Sequence, residues 1–432
     1  MKALREAPIA VPWLGILRAD WPLVPLRYLV RFLSGGTPDK GNADFWSGGA
    51  IPWVSPKDMK VDRINDSEDH ITVAALDGSS TQLVPVGSVL VVVRGMILAH
   101  TLPVAVTTGP VTINQDIKAL VCGQRILPEF LHAVLAGQAE WLLSQADSSA
   151  HGTKKLETEV LQRFEVPCPP LELQRRIVAT MRAQAISLDE VVAAKQRVLD
   201  LLAEKRKAII ATAVTRGLDP KVKLRDSGVP WLGEIPAHWE IERARWLFRE
   251  RDVRSTTGEE EMLTVSHLTG VTPRSEKDVN MFEAETNEGY KLCEPGDLVI
   301  NTLWAWMGAM GIAPVKGIVS PAYNVYEPGP RFAPAYIDAL VRLPVFAQEV
   351  TRYSKGVWSS RLRLYPEGFF EVYLPVPPHE EQRAIVDHIA RETEKVDAVR
   401  AATERTIALL KERRSALIAA AVTGQLDVGA AA

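Results

Sequence analysis

The feature that most constrains this chain is a long segment that occurs twice. Residues 169–219 and 377–427 align at a constant offset of 208 positions, without an insertion. Identical pairs that anchor the alignment include Gln174/Gln382, Arg175/Arg383, Ile177/Ile385, Asp189/Asp397, Leu202/Leu410, Arg206/Arg414 and Thr215/Thr423. A repeat of this length predicts a duplicated architecture in which both copies perform the same structural task.

Each copy predicts one long helix. Neither contains Pro or Gly between its starting Pro-Pro pair and Gly217 or Gly424, and both are rich in good helix formers. Alternate steps of four and three residues select a mostly apolar seam sustained for about five heptads. We expect the two helices to pair along it as a coiled coil; two amphipathic helices packed on their own domains are the alternative. The apolar seam residues are Leu188, Leu199, Leu202, Ile209, Val396, Ile407, Leu410 and Leu417.

The repeat extends upstream of the helices. The pentapeptide VPWLG occurs at 11–15 and again at 229–233, and Trp21 and Trp239 follow at the same spacing. Trp13 and Trp231, inside these motifs, are expected to anchor the entry to each domain. The chain therefore divides into two halves in series, each with an entry motif, a globular domain and a long helix. The predicted boundaries are 1–168 for the first domain, 169–219 for the central helix, 220–376 for the second domain and 377–432 for the C-terminal helix.

Between the entry motif and the helix the two halves diverge in sequence. Gly-rich turns that separate short β-branched runs predict strands, most clearly in SVLVVV at 88–93 and EPGDLVINTLW at 294–304. One helix is predicted near the end of each domain, at 128–145 and 334–353. The expected fold class is α+β, with two mixed α/β domains of mainly strands joined by the two long helices.

Composition places few limits on function. The 432-residue chain has a net charge of −3, which argues mildly against a nucleic-acid partner without excluding one. Its three scattered cysteines predict neither a disulfide framework nor a metal site, and they favour a reducing compartment. We expect no signal peptide, and no apolar run is long enough to cross a bilayer, so a cytoplasmic protein without a membrane partner is expected.

The order of the motifs resembles a known family. SGGTP, IPWVSPKDM, a central strand after a Gly turn, INQD or SPAYNVY, a basic Gly/Ser loop and a PPxxEQ segment before a long helix all occur in the order found in specificity (S) subunits of type I restriction-modification systems. The resemblance covers essentially the whole chain. One departure is Leu173, which stands where the pattern has Glu, whereas the second copy keeps Glu381 and Gln382.

The resemblance implies a non-catalytic, DNA-binding subunit. Its two target-recognition domains would each read one half of a bipartite sequence in double-stranded DNA. The helices, antiparallel about a pseudo-two-fold axis, would set the spacing and dock two methyltransferase subunits together with restriction (translocase) subunits. S-adenosylmethionine, ATP and magnesium would belong to those partners, and no cofactor is expected on this chain.

Two alternatives have less support from the residues. An N6-adenine methyltransferase needs a carboxamide-Pro-Pro-aromatic motif, whereas the Pro-Pro pairs here read CPPL and VPPH. GGTPDKGN lacks the Lys-Ser/Thr ending of a phosphate loop, the histidines lack ligand spacing, and scattered acidic residues imitate a nuclease site only by chance. A coiled-coil adaptor that does not bind DNA would not need two different, Trp-rich domains with basic loops.

Basic Gly/Ser loops supply the first candidates for DNA binding. The second domain has Lys355, Arg361 and Arg363 in YSKGVWSSRLRLY, and the first has Lys154 and Lys155 in HGTKKL. Such cations suit phosphates, and Arg can also bind guanine through two hydrogen bonds; an ordinary solvated loop is the alternative. Asn and Gln can read adenine but are equally common in turns. The remaining candidates are Thr37, Arg94, Asn114, Gln115, Tyr323 and Asn324.

Overall fold

The structure is a computed structural model that describes residues 9–11, 15–17, 20–148, 153–276, 286–357 and 362–426. It divides into two compact units. Unit 1 comprises Met1–Gln196 and Arg405–Ala432, and unit 2 comprises Arg197–Glu404. The boundaries after Gln196 and after Glu404 are 208 positions apart, which is the offset of the sequence repeat. Each unit therefore contains one globular domain and parts of both long helices.

Unit 1 is built on a five-stranded sheet. Its strands are β1 (Ile9–Val11), β2 (Gly15–Leu17), β3 (Leu23–Pro25), β4 (Val30–Ser34), β5 (Ile51–Val54), β6 (Arg63–Ile64), β7 (Asp69–Ile71), β8 (Ser88–Val92), β9 (Arg94–Gly95), β10 (Val104–Thr107), β11 (Thr112–Ile113), β12 (Ile117–Cys122), β13 (Asp147–Ser148), β14 (Lys154–Lys155) and β15 (Glu165–Pro167). Its helices are α1 (Val73–Gly78), α2 (Pro128–Gly137), α3 (Ala139–Ser144), α4 (Thr158–Arg163) and the first part of α5 (Leu171–Arg216). The main sheet has the order β4-β12-β8-β10-β6, and smaller sheets have the orders β11-β5-β7, β13-β14-β9, β15-β3 and β1-β2.

The central strand β8 explains why the sheet forms where it does. Every residue of β8 is buried, and antiparallel strands pair with it on both sides. A run rich in β-branched residues suits such a central, buried strand. Phe130 of α2 and Phe164 next to β15 complete the same core. The strand predicted from SVLVVV is therefore the centre of the domain.

Unit 2 has a four-stranded main sheet. Its strands are β16 (Leu224–Asp226), β17 (Glu234–Pro236), β18 (Glu240–Arg243), β19 (Phe248–Glu250), β20 (Leu263–Ser266), β21 (Gly270–Pro273), β22 (Lys291–Cys293), β23 (Leu298–Asn301), β24 (Met310–Ile312), β25 (Gly317–Val319), β26 (Tyr323–Pro328) and β27 (Tyr373–Val376). Its helices are α6 (Ala244–Leu247), α7 (Pro334–Val341), α8 (Pro344–Arg352), α9 (Pro366–Phe370) and the first part of α10 (His379–Val422). The main sheet has the order β19-β26-β23-β24, beside the pairs β18-β27, β20-β21, β22-β25 and β16-β17.

The two domains share one framework although their sequences diverge. The order β4-β12-β8-β10 in unit 1 corresponds to β19-β26-β23-β24 in unit 2, and both runs are antiparallel. Two helices follow in each domain where one was predicted: α2 and α3 meet at Gln138, and α8 starts at Pro344 after an extended Leu343. Proline favours a helix start there because it has no amide proton to leave unpaired. The single-helix predictions at 128–145 and 334–353 were therefore wrong.

The same glutamine fixes the start of each long helix. Gln174 is fully buried; its Oε1 accepts a bond from the Leu127 amide (2.9 Å), and its Nε2 donates to the Pro169 and Arg125 carbonyls (2.8 and 3.0 Å). The equivalent bonds of buried Gln382 run to the Ala333 amide (2.8 Å), the Arg331 carbonyl (2.8 Å) and the Pro377 carbonyl (2.9 Å). Because Leu127 and Ala333 directly precede α2 and α7, each amide ties the long helix to a helix of its own domain.

The long helices pair within each unit, and they run antiparallel. In unit 1 Asp189 lies 3.5 Å from Arg414, and in unit 2 Arg206 lies 3.4 Å from Asp397. The residue further along α5 pairs with the residue that comes earlier in α10, as antiparallel helices require. Both ion pairs join the same two repeat positions, so the predicted duplication extends to the helix contacts. The helices also pack on their domains, since Ile177 belongs to the core of unit 1.

The predicted seam residues lie on the less exposed face of each helix. Val396 and Ile407 are buried. The other six seam residues are partly buried, namely Leu188, Leu199, Leu202, Ile209, Leu410 and Leu417. Leu201 and Leu409, which are outside the predicted seam, are exposed. An apolar stripe thus follows one side of each helix, as an antiparallel helix pair requires.

The entry motif and the cysteines have structural surroundings. Trp231 donates from Nε1 to the Tyr373 carbonyl (3.2 Å) and packs edge-on against Phe346; Trp13 lies outside the described residues. Cys122, Cys168 and Cys293 are all free thiols. In the part of the chain that the structure describes, no helix is long and apolar enough to cross a membrane.

Candidate nucleic-acid interface

In unit 1 the predicted DNA-binding residues gather at one end of the main sheet. Arg94 follows the central strand β8, and Asn114 and Gln115 lie in the connection between β11 and β12. The Thr37 hydroxyl contacts Gln115 Oε1, which brings the SGGTP loop to the same place. Four candidates that are up to 78 positions apart in sequence therefore share one edge of the domain.

The two predicted lysines reach this edge through a small antiparallel sheet. β14 pairs with β9, so Lys155 lies opposite Arg94 and Lys154 opposite Gly95. The Leu156 amide donates to the Val93 carbonyl (2.8 Å), which fixes the basic strand to the end of β8. The basic loop predicted from HGTKKL is thus held beside the central strand.

The SGGTP loop needs its glycines for a close approach of two main chains. A Cβ atom on Gly35 would lie 2.0 Å from the Asn114 carbonyl oxygen, which only glycine can avoid. The Gly36 amide donates to the Ile113 carbonyl (3.0 Å), and Trp53 Nε1 donates to the Gly36 carbonyl (2.9 Å). These bonds hold the loop directly over the β11–β12 connection, where Thr37 meets Gln115.

Asp116 is a member of this cluster that the sequence reasoning missed. Its carboxylate accepts from Arg94 Nε (2.7 Å) and from Asn114 Nδ2 (3.2 Å). Asn114 is itself buried, and its Oδ1 accepts from the Asp116 amide (3.0 Å), as in an Asx turn. Asn114 therefore supports the turn, while Gln115 is exposed at its tip. Little in the sequence signals this role, because Asp116 lies 22 positions from Arg94 in the chain.

Unit 2 places a basic hairpin in the corresponding position. Lys355 and Arg363 pair through two main-chain bonds of 2.9 Å, and both side chains are exposed. The Leu364 amide then donates to the Thr302 carbonyl (3.1 Å), directly after the central strand β23. Lys355 Nζ also lies 6.0 Å from the centre of the Tyr365 ring. Arg361, the third predicted cation of this loop, lies outside the described residues.

The two basic hairpins are the same element. Asp147 pairs with Lys155 in unit 1, and Lys355 pairs with Arg363 in unit 2, at the 208-residue offset in both positions. The charges differ: Asp147 stands where the second domain has Lys355. The framework is repeated, whereas the side chains that it presents are not.

Tyr323 and Asn324 point to different surroundings because they are adjacent on β26. Tyr323 lies opposite Asn301 in the sheet; burial raises the pKa of its phenol, and a hydrogen bond from Asn301 opposes that shift. Asn324 is buried, and its Oδ1 accepts from Lys291 Nζ (3.3 Å). Tyr323 is thus at the candidate edge, whereas Asn324 belongs to an interior polar cluster. The sequence analysis did not select Asn301, the last residue of the central strand β23. The selection of Arg94, which follows the equivalent strand β8, could have pointed to it.

Within the described residues, no group of three or more His, Cys, Asp or Glu side chains is placed to hold a metal ion. A cleft of about 280 Å³ in unit 1 is lined by residues of α2, α5 and α10, including His132, Met181 and Arg414. None of the candidate DNA-binding residues lines it. The polar edges of the two main sheets are therefore the candidate interface.

A family model and two curated relatives match parts of the chain. Residues 19–189 match the family described as type I restriction modification DNA specificity domain. The type I restriction enzyme EcoR124I/EcoR124II specificity subunit of Escherichia coli is 37% identical over 148 residues, which are 34% of this chain and 37% of that protein. The MjaIX specificity subunit of Methanocaldococcus jannaschii is 26% identical over 173 residues, 39% of this chain and 38% of that protein. The chain thus spans less than two fifths of the length of either curated relative.

Two solved structures share the fold over nearly the whole chain. A chain from a study of complex assembly and conformational transition of the type I R-M system has a TM-score of 0.66 at 18% identity and covers 95% of this chain and 99% of that chain. The HsdS subunit from Thermoanaerobacter tengcongensis has a TM-score of 0.52 at 16% identity, with 95% and 98% covered. At these identities the likeness establishes the fold alone. It confirms the predicted class of two mixed α/β domains with two long helices.

Proposed function

We propose that this chain is a specificity subunit of a type I restriction-modification system and that it recognises a bipartite sequence in double-stranded DNA for that system. Each globular domain reads one half of the target, and the paired helices set the spacing between the halves. The candidate residues at the sheet edges make the contacts with DNA.

One observation carries this proposal: the framework is repeated and the polar edges are not. At the end of its central strand, unit 1 presents Arg94, Gln115 and Lys155. The same place in unit 2 presents Tyr323 and Arg363 with a different set of neighbours. Two readers of different half-sites need a common scaffold with different side chains, whereas a duplicated enzyme would need the same ones.

The exposed residues suggest a division of labour at each edge. Lysines and arginines of the basic hairpins suit phosphate oxygens, which fix the position of the domain on the duplex. Gln115, exposed on its turn, suits the edge of an adenine base. Arg94 is partly neutralised by Asp116, so it is better placed to orient the turn or to bind a guanine than to attract DNA over a distance.

The partners are those that the family resemblance implies, and the repeat supports two copies of one of them. Two equivalent helix contacts, Asp189 with Arg414 and Arg206 with Asp397, support two equivalent docking surfaces for two copies of a methyltransferase subunit. Restriction subunits complete the proposed assembly. In this proposal S-adenosylmethionine, ATP and magnesium are bound by the partners, and this chain performs no catalysis.

The enzyme alternative is weakened by what the Pro-Pro pairs and the thiols do. The Pro169 and Pro377 carbonyls accept bonds from Gln174 and Gln382, so both pairs serve helix starts rather than a base pocket. Burial raises the pKa of Cys122 and of Cys293 to about 12, which keeps both thiols protonated near neutral pH. Neither feature suits a methyltransferase or a thiol nucleophile.

The proposed function is tested by sequencing methylated adenines in the host with and without this gene. We expect one split motif, two short defined sequences separated by an unspecified gap, to disappear on deletion and to return on complementation. Purified alone, the chain should neither methylate nor cleave DNA. An unchanged methylome in a host whose partner subunits are expressed would contradict the proposal.

A further inference from the structure

We infer that Met96 and Trp304 are the apolar contacts of the two domains with the bases of their own half-sites, an inference that rests on the proposed function. Met96 is 72% exposed and Trp304 is 50% exposed, although both side chains are large and apolar. Single exposed apolar side chains are common on protein surfaces, so exposure alone indicates nothing. The position of these two side chains is what distinguishes them.

Both side chains lie where the chain leaves the central strand of the domain. Met96 is the first residue of the 3₁₀ turn Met96–Ala99, which follows β8 and β9. Trp304 directly precedes the 3₁₀ turn Ala305–Met307, which follows β23. Because β8 and β23 occupy the same place in the two sheets, both domains present a large apolar side chain within four residues of the end of the central strand.

In both domains the basic hairpin is bonded to the main chain close to the exposed apolar residue. Met96 follows β9, and β9 pairs with the strand Lys154–Lys155. The Thr302 carbonyl, two positions before Trp304, accepts a hydrogen bond from the Leu364 amide. Leu364 directly follows Arg363. Each apolar residue therefore lies close to the basic hairpin of its own domain along the main chain.

This combination matches the chemistry of a duplex. Lysine and arginine bind the phosphates at the rim of a groove, and an apolar side chain between them meets the base edges, where it contacts a thymine methyl group or enters a base step. Met is flexible enough to fit an irregular apolar surface, and the indole of Trp offers a flat face for stacking. Replacement of thymine by uracil in the duplex distinguishes contact with the methyl group from insertion.

The opposite ends of the same sheets provide matched controls. Tyr28 is 64% exposed and Trp246 is 73% exposed. Tyr28 lies two positions before Val30, which pairs with the last residue of β12. The first residue of β12 pairs with the end of β8, which precedes Met96. Tyr28 and Met96 are therefore at opposite ends of the sheet. Trp246 lies two positions before Phe248, which pairs with the last residue of β26. The first residue of β26 pairs with the end of β23, which precedes Trp304. Trp246 and Trp304 are therefore at opposite ends of the sheet.

The experiment measures DNA binding by the full-length chain and four variants, Met96→Ala, Trp304→Ala, Tyr28→Ala and Trp246→Ala. Three labelled duplexes are compared: the complete target, and two in which one half-site is scrambled. We expect Met96→Ala to reduce the preference for the complete duplex over one scrambled duplex about tenfold and to leave the other preference unchanged. Trp304→Ala should show the reverse. The two control variants should change neither preference more than about twofold.

Further measurements separate a direct contact from a change in folding. The salt dependence of binding should keep its slope, because no phosphate contact is removed. Met96→Leu should retain the preference, and all variants should melt as the wild type does. The inference is overturned if both alanine variants behave like the controls, or if either weakens binding to all three duplexes alike. A wild-type chain that does not distinguish the three duplexes would overturn the proposed function, and the inference with it.

Discussion

At the scale of single residues, Trp21 and Trp239 occupy equivalent positions but differ in one hydrogen bond. Trp239 Nε1 donates to Glu381 Oε2 (3.0 Å), which also contacts a histidine. Trp21 Nε1 is buried and has no partner among the residues that the structure describes. The repeat places Leu173 where Glu381 stands, so the first copy lacks the acceptor. The departure from PPxxEQ leaves the helix start intact, because the neighbouring glutamine makes those bonds.

This difference predicts unequal costs for the same substitution. Trp→Phe removes the indole N–H at both sites with a similar loss of packing, but only Trp239→Phe breaks a hydrogen bond to a carboxylate. We expect Trp239→Phe to lower the free energy of unfolding by about 1–2 kcal/mol more than Trp21→Phe does. Amide hydrogen exchange in the full-length chain reports the two domains separately. In a Glu381→Leu background the excess should vanish; equal costs in the wild-type background would contradict the assignment.

At the scale of elements, the ion pairs between α5 and α10 specify register more than they add stability. Arg206 and Asp397 are each roughly half exposed, and such pairs contribute about 0–1 kcal/mol. A shift of one helix along the other would instead place these charges beside wrong partners. The apolar seam supplies the attraction between the helices, and the charges select among its possible alignments.

A charge exchange tests this assignment. Arg206→Asp alone brings two carboxylates together, and Asp397→Arg alone brings two guanidinium groups together, so each should lower the free energy of unfolding by about 1 kcal/mol. The double variant should recover most of that loss in urea unfolding of the full-length chain. Lys205→Glu, next to Arg206, controls for a change in net charge. A double variant whose loss equals the sum of the single losses would show that the pair does not interact.

The elements were predictable where a pattern spans many residues. The long helices followed from heptads without Pro or Gly, and β8 from a continuous β-branched run, because burial along a whole element leaves a periodic record in the sequence. The division between α2 and α3 left only a single-residue signal: α2 ends at Gly137, and glycine disfavours a helix interior, but one glycine does not produce a periodic pattern.

The candidate site was only partly predictable for a related reason. Asn114 and Asn324 were predicted to read bases, yet both are buried and hydrogen-bonded to protein. An asparagine has the same polarity in a turn, in a core or on DNA, so its type does not reveal its direction. Asp116 and Asn301 escaped notice because their importance comes from neighbours that are distant in sequence. Which residues contact DNA stays a prediction.

At the scale of the whole molecule, the division into compact units does not follow the division into globular domains and helices: unit 2 is the continuous segment Arg197–Glu404, whereas unit 1 combines Met1–Gln196 with Arg405–Ala432. Unit 1 takes the first part of α5 and the last part of α10, and unit 2 takes the remaining parts. The duplicated helices therefore belong to both units. A domain exchange must therefore leave both helices intact. The incoming domain must contact them through interactions that do not depend on its side chains.

The glutamine contacts satisfy that condition and predict modular specificity. Gln382 binds only main-chain atoms of its domain, at Ala333 and Arg331, so a related domain with the same turn can make the same bonds whatever its side chains. Replacing residues 240–374 with the equivalent domain of a relative should therefore leave the helices folded. It should also leave the first domain's half-site unchanged.

The exchange is judged from the methylated motif of cells that carry the chimera. We expect one half of the motif to change to that of the relative, with the other half and the gap retained, because the polar edge of unit 1 and both helices are untouched. A second chimera that differs from the first only by Gln382→Ala separates docking from recognition. It should lose stability, since the buried Ala333 amide and two carbonyls lose their partner, yet methylate the same new motif where it still folds. A change in both halves of the motif would show that the domains do not read independently.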